Sequence, residues 1–182
     1  MAHAEPFAET VTRFETPTHH HVLIRAPNGE FLGTADGRDL AVYDHVDDKA
    51  IWDATEVGYR HVVTGLTVET LPNGDAGYAL RYDDHPVGAD GSRGDEAAAF
   101  QPGQGPEKLP SESLGEFRDN GWVCLNGILS PEVVDELHRA SCTGPYAEGE
   151  YDRSRHPISH APAMVRQAVE PVSLWLLRQY LG

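Results

Sequence analysis

Short apolar runs separated by turn residues fill the first half of the chain, and helical spacing takes over in the second. Residues 1–20 are polar and weakly patterned, an N-terminal arm. The run HVLIRA (21–26) then predicts a strand, with FLGT (31–34) and LAVY (40–43) as the next two. Asn28-Gly29 between the first pair suits a type I′ hairpin, because both residues tolerate positive φ. The stretch ADGRD turns the chain again around Gly37. AIWDATEV (50–57), HVVTGLTVE (61–69) and YALRYDD (78–84) complete six expected strands, rich in β-branched and aromatic residues. Residues 21–85 therefore read as an all-β module of antiparallel strands.

Residues 86–108, PVGADGSRGDEAAAFQPGQGPEK, change the pattern. Gly, Pro, Ala and charge dominate, and such a composition buries too little apolar surface to offset the entropy of ordering. The stretch is expected to be a flexible linker. Its Arg93-Gly94-Asp95 tripeptide reads as incidental, since three residues carry little information.

Helical rhythm begins after residue 109. SESLGEFRDNG predicts a helix starting at Ser111, burying Leu114 and Phe117, and stopping at Gly121, where glycine takes the left-handed conformation without a Cβ penalty. WVCL (122–125) is apolar on both faces and predicts a short buried strand. Ser130-Pro131 opens another helix: the serine oxygen caps free N–H groups and proline at the first turn gives up no hydrogen bond. Val133, Val134, Leu137 and Ala140 form its apolar stripe. A loop-like stretch, 143–160, precedes a short helix and then a last one opened by Pro171. That last helix carries Val172, Leu174, Trp175, Leu176, Leu177, Tyr180 and Leu181, apolar in nearly every direction, so it needs cover on several sides. The β module, a partner subunit or further sequence would supply it.

Charge narrows the partners. Twenty-nine acids against 14 bases give a formal net charge of −15, which repels phosphate backbones and anionic membrane surfaces. No apolar stretch approaches the roughly 20 residues of a membrane span. The start MAHAEPFAETVTRFE has acids where a secretion signal needs bases and an apolar run, so a cytoplasmic protein is expected. Cys124 and Cys142 make no metal motif and are expected as reduced core thiols, with one disulfide as the alternative.

Two resemblances follow. HVLIRAPNGEFLGTADG and HVVTGLTVETLPNGDAGYALRYDD each start with His-Val, pass an Asn-Gly turn and resume with an aromatic strand, about 40 residues apart. This portion resembles fascin-like and related β-trefoil repeats, of which one and a half to two units are present; a generic antiparallel meander is the other reading. Further on, LPSESLGEFRDNGWVCLNGILSPEVVDELHRA resembles the opening of the phytanoyl-CoA dioxygenase family. Phe117, Asn120-Gly121, Trp122 to Leu125 and Gly127 to Leu137 match that family's entry pattern, and AMVRQAVEPVSLWLLRQYLG is similar to its helices before the first barrel strand. The resemblance implies an α+β protein: an N-terminal antiparallel β module, partial trefoil-like or meander, then the helical entry segment (109–182) of a double-stranded β-helix oxygenase domain whose barrel core is absent. It also implies a parent enzyme that uses Fe(II) and 2-oxoglutarate to hydroxylate a small or lipid-like molecule.

The family's iron is held by His-x-Asp/Glu and a later His. After residue 109 no such pair occurs: His138, His156 and His160 precede Arg139-Ala140, Pro157-Ile158 and Ala161-Pro162. No catalytic, cofactor or metal residue is therefore assigned, and this chain alone is expected to bind neither Fe(II) nor 2-oxoglutarate and to be inactive. His45-Val46-Asp47 does spell His-x-Asp, with His85 and Arg93 as conceivable companions, but it sits in an acidic loop between strands of the β module. His19-His20-His21 offers two converging imidazoles, His19 and His21, if extended. Trp52 and Asp53 would suit a sugar-stacking site, yet the position two before Trp52 is Ala50 where trefoil lectins have Gln, and a core Trp is the expectation. The alternative to an oxygenase part is a non-enzymatic, trefoil-like module that binds protein or carbohydrate. Self-association through the apolar last helix is expected in the first case.

Overall fold

A computed structural model describes residues 21–71, 78–142 and 162–182. The 1–20 arm, with His19 and His20, lies outside the described residues, as do 143–161 with His156 and His160 and the side chain of Cys142. The architecture is a closed antiparallel β-barrel followed by helices.

Nine strands are described: β1 (Val22–Arg25), β2 (Phe31–Gly33), β3 (Ala41–Tyr43), β4 (Trp52–Ala54), β5 (Gly58–His61), β6 (Thr67–Thr70), β7 (Tyr78–Tyr82), β8 (His85–Pro86) and β9 (Ala99–Gln104). Strands β1, β4, β5, β6, β7 and β9 pair in that order, and β9 returns to β1, closing a ring. The β2–β3 hairpin hangs from the end of β1 at Arg25↔Phe31. Closure matters because a free strand edge is a template for aggregation.

Side-chain alternation explains which residues face in. Ile24, Leu32, Trp52, Val68, Leu80 and Phe100 form the barrel core. Their neighbours Leu23, Phe31 and Ile51 belong to a second cluster on the outer face, with Leu114, Val172 and Leu176 of the helices. Successive residues of a strand point to opposite faces. The apolar doublets Leu23-Ile24, Phe31-Leu32 and Ile51-Trp52 thus record a sheet wall buried on both sides.

The helices are α1 (Pro110–Asn120), α2 (Pro131–Cys142), α3 (Pro162–Ala168) and α4 (Pro171–Leu181). Gly121 ends α1 at φ 77°, and its N–H donates to the Phe117 carbonyl. Ser130 Oγ accepts from Val133 N–H at 3.4 Å at the start of α2. Glu170 caps α4, its carboxylate accepting from Val172 N–H and Ser173 N–H at 3.0 and 2.7 Å. On α1, Leu114 is buried and Phe117 meets the Tyr180 ring edge-on, with ring centroids 4.7 Å apart.

Four expectations are corrected. Residues 86–108 are not a free linker through their length: Val87 and Phe100 are fully buried and β9 closes the ring. Two buried apolar side chains and a ladder between two waiting strands order a stretch whose average composition reads as linker. WVCL is not a buried strand; Trp122 is 68% exposed and Cys124 is exposed rather than a core thiol. HVVTGLTVE is two strands, because Gly65 at φ 76° turns the chain between β5 and β6. At Asn28-Gly29 only Gly29 has positive φ (92°). Gly29 N–H donates to the Ala26 carbonyl and Ala26 N–H to the Glu30 carbonyl, a three-residue loop ending in a left-handed glycine. The two-residue turn with both φ positive lies instead at Asp83-Asp84, between β7 and β8.

Candidate functional site

Helices α2, α3 and α4 and the loop after α1 enclose an open groove of about 750 Å³. Leu125, Ile128, Val134, Met164 and Leu177 supply most of its apolar wall. An exposed ion pair between Arg166 and Glu136 ties α3 to α2. Part of α4 stays exposed: Leu177 and Leu181, on the side away from Val172 and Leu176, are 51 and 76% exposed, and Tyr180, beside Leu176, is 56% exposed although Phe117 meets its ring. The barrel thus covers one face of the last helix, while α1 meets it at Tyr180.

The residues flagged by the sequence scatter. His45 lies 2.7 Å from Asp44 and its Nε2 is 3.5 Å from Asp47. Asp47 is occupied as the cap of a short 3₁₀ turn (48–50), accepting from Lys49 N–H at 2.9 Å. The imidazole holds the exposed Asp44 carboxyl below its ordinary range through a hydrogen bond and charge attraction. Val46 between them is fully buried. His85 sits on β8, and Arg93 instead pairs with Asp83 at 3.0 Å and stacks over Tyr82. His21 Nδ1 lies 2.9 Å from Asp53, which Arg60 approaches at 3.8 Å. Among the described residues no group of three or more His, Cys, Asp or Glu side chains is placed to hold a metal ion. These donors do not fit a facial iron triad.

Trp52 is fully buried, and its indole N–H donates to the Leu32 carbonyl at 2.8 Å. It offers no face to a sugar. The sequence reading passed over His61, which packs edge-on to Trp52 with ring centroids 5.1 Å apart. His61 is 1% exposed and both ring nitrogens are engaged. Nε2 is 3.0 Å from the Lys49 carbonyl, which can only accept, so Nε2 carries the proton. Nδ1 accepts from Thr64 N–H at 3.1 Å and lies 2.9 Å from Thr64 Oγ1. Burial pushes this imidazole below its ordinary pKa, outweighing the hydrogen bond to Lys49 and the charges of Asp47 and Asp48. The signal for it was a His at the end of an apolar alternation, beside a Thr-Gly turn.

No protein-family model, curated protein or solved structure matches the chain. Among the described residues neither the groove nor the exposed part of α4 carries a nucleophile with a partnered base. Among the described residues no helix is long and apolar enough to cross a membrane.

Proposed function

We propose that this chain is the scaffold-and-docking part of an Fe(II)- and 2-oxoglutarate-dependent hydroxylase of the phytanoyl-CoA dioxygenase type. The barrel anchors the helices, and the helices brace the catalytic β-helix core of the parent enzyme. The observation that carries this reading is the uncovered apolar surface of α4 and its groove, on the same helices whose sequence resembles that family's entry segment. Apolar patches of this kind mark interaction surfaces. The iron ligands and the group that binds 2-oxoglutarate would belong to the catalytic core, because the donors described here do not fit them. On this reading the helices of residues 109–182 serve as a binding element.

The test uses the chain alone and a double variant, Leu177→Lys with Leu181→Lys. Wild type is expected to self-associate in sedimentation velocity and to bind an apolar dye. The variant is expected to lose both with its melting temperature within 2 °C or so of wild type, since exposed substitutions change stability by only about 0.5 kcal/mol. With Fe(II), ascorbate and 2-oxoglutarate, neither should release succinate. A monodisperse, dye-silent wild type that melts cooperatively would defeat the docking reading and favour a self-sufficient protein-binding module.

A further inference from the structure

We propose that His61 is an acid-sensitive latch that holds the 48–50 turn, and through it the helical layer, on the barrel. The turn is a junction. Its Lys49 carbonyl receives the His61 Nε2–H and also Thr34 N–H at 2.9 Å, from just beyond β2. Asp48 accepts from Ser111 N–H at 2.9 Å and so seats the first turn of α1. Ala50 and the following Ile51 are fully buried in the cluster with Leu114, Val172 and Leu176. One imidazole therefore clamps the segment on which both α1 and α4 rest.

The clamp works in one protonation state. With the proton on Nε2, Nδ1 offers a lone pair to Thr64 N–H. A second proton at Nδ1 would set an N–H against Thr64 N–H and leave only Thr64 Oγ1, 2.9 Å away, to accept it, in a site closed to water. The turn that carries Thr64 (62–65) has no titratable side chain. From the 34–39 loop, Gly37 packs on Thr64, and that loop's Asp36 accepts from the Arg38 and Asp39 amides. Strand β4 presents only the Trp52 ring. The 48–50 turn and its cap bring Asp47, Asp48 and Lys49; the Lys49 ammonium lies 3.5 Å from Asp47 and over the Tyr43 ring. Asp47 and Asp48 attract a proton to the ring, but burial opposes it more strongly.

The sign follows. Burial lowers the pKa in the closed state, so the released imidazole, ordinarily titrating near 6.5, binds protons that the closed one refuses. The latch is indifferent to pH above that value. Below it, opening grows by at most tenfold per pH unit until the closed state also titrates, so by no more than about thirtyfold down to pH 5.

Two measurements test this on the full chain. Nitrogen NMR of labelled histidines should show one imidazole neutral with Nε2 protonated at pH 7.5, assigned by its loss in His61→Gln. A charged His61, or a neutral one protonated at Nδ1, overturns the proposal. Amide-exchange protection, corrected for intrinsic rates, should fall in α1 and α4 by up to about thirtyfold between pH 7.5 and 5 while the barrel strands keep theirs. Glutamine can donate to Lys49 and accept from Thr64 without titrating, so His61→Gln should flatten that fall. An equal fall in the variant overturns the latch. So does an equal loss in strands and helices of wild type, a readout that stands even if the variant does not fold.

Discussion

Replacing Phe100 with alanine tests whether the Gly- and Pro-rich stretch closes the barrel. Phe100 is fully buried among Ile24, Leu32, Trp52 and Leu80, and it stands on β9 opposite Tyr78 of β7. Emptying such a site costs about 3–5 kcal/mol, the transfer term plus the cavity left behind. That is a large share of the roughly 5–15 kcal/mol that holds a domain together. With a urea slope of about 2 kcal/mol per molar, the midpoint should drop by about 1.5–2.5 M. Tryptophan emission is a suitable probe because Trp52 is fully buried while Trp122 already lies in solvent. Gln101→Ala, one residue along and exposed, is the control and should shift the midpoint by no more than about 0.25 M. If Phe100→Ala and Gln101→Ala behave alike, residues 99–104 are not part of the core and the ring is open.

Gly33 and Gly115 should respond in opposite directions to alanine. A Cβ at Gly33 would sit 2.1 Å from the Lys49 carbonyl oxygen, so Gly33→Ala should lower the melting temperature by roughly 3–10 °C; Gly115 lies mid-helix with nothing near its Cβ position, so Gly115→Ala should raise it by about 2–4 °C. Calorimetry on both variants decides, and a stable Gly33→Ala would refute the close approach of β2 to the 48–50 turn. Glu170→Ala leaves two N–H groups at the start of α4 uncapped and should cost about 1–2 kcal/mol, read as lower exchange protection across α4.

The helices were legible because their ends are chemical. Ser130-Pro131, Pro171 and Gly121 each act within a few residues of themselves, so local sequence suffices. Most strands were legible by alternation, and their burial confirmed Trp52 as core. Strand β9 was not, because its evidence is non-local: Phe100 matters only once β1 and β7 are beside it. WVCL misled for the converse reason, since a brief apolar run does not say whether anything arrives to cover it, and Trp122 is left 68% exposed. The doublets such as Phe31-Leu32 held more than the alternation rule extracted. They told of a helical layer outside the barrel, which becomes readable only when the inner face is known. His61 escaped because its partners, Lys49 and Thr64, flank it on different turns.

Strand β1 finds one of its neighbours roughly 80 residues downstream, Val22 opposite Gln104 and Arg25 opposite Gln101. During synthesis at ~5–20 residues per second, that separation leaves β1 waiting about 4–16 s for β9 to emerge. For that interval the nascent chain exposes one side of β1 and one of β7 as unpaired backbone, with Phe100 still inside the ribosome. Translation speed between codons 25 and 104, and any chaperone that shields strand edges, would then set how much protein reaches the closed ring and how much is lost to aggregation.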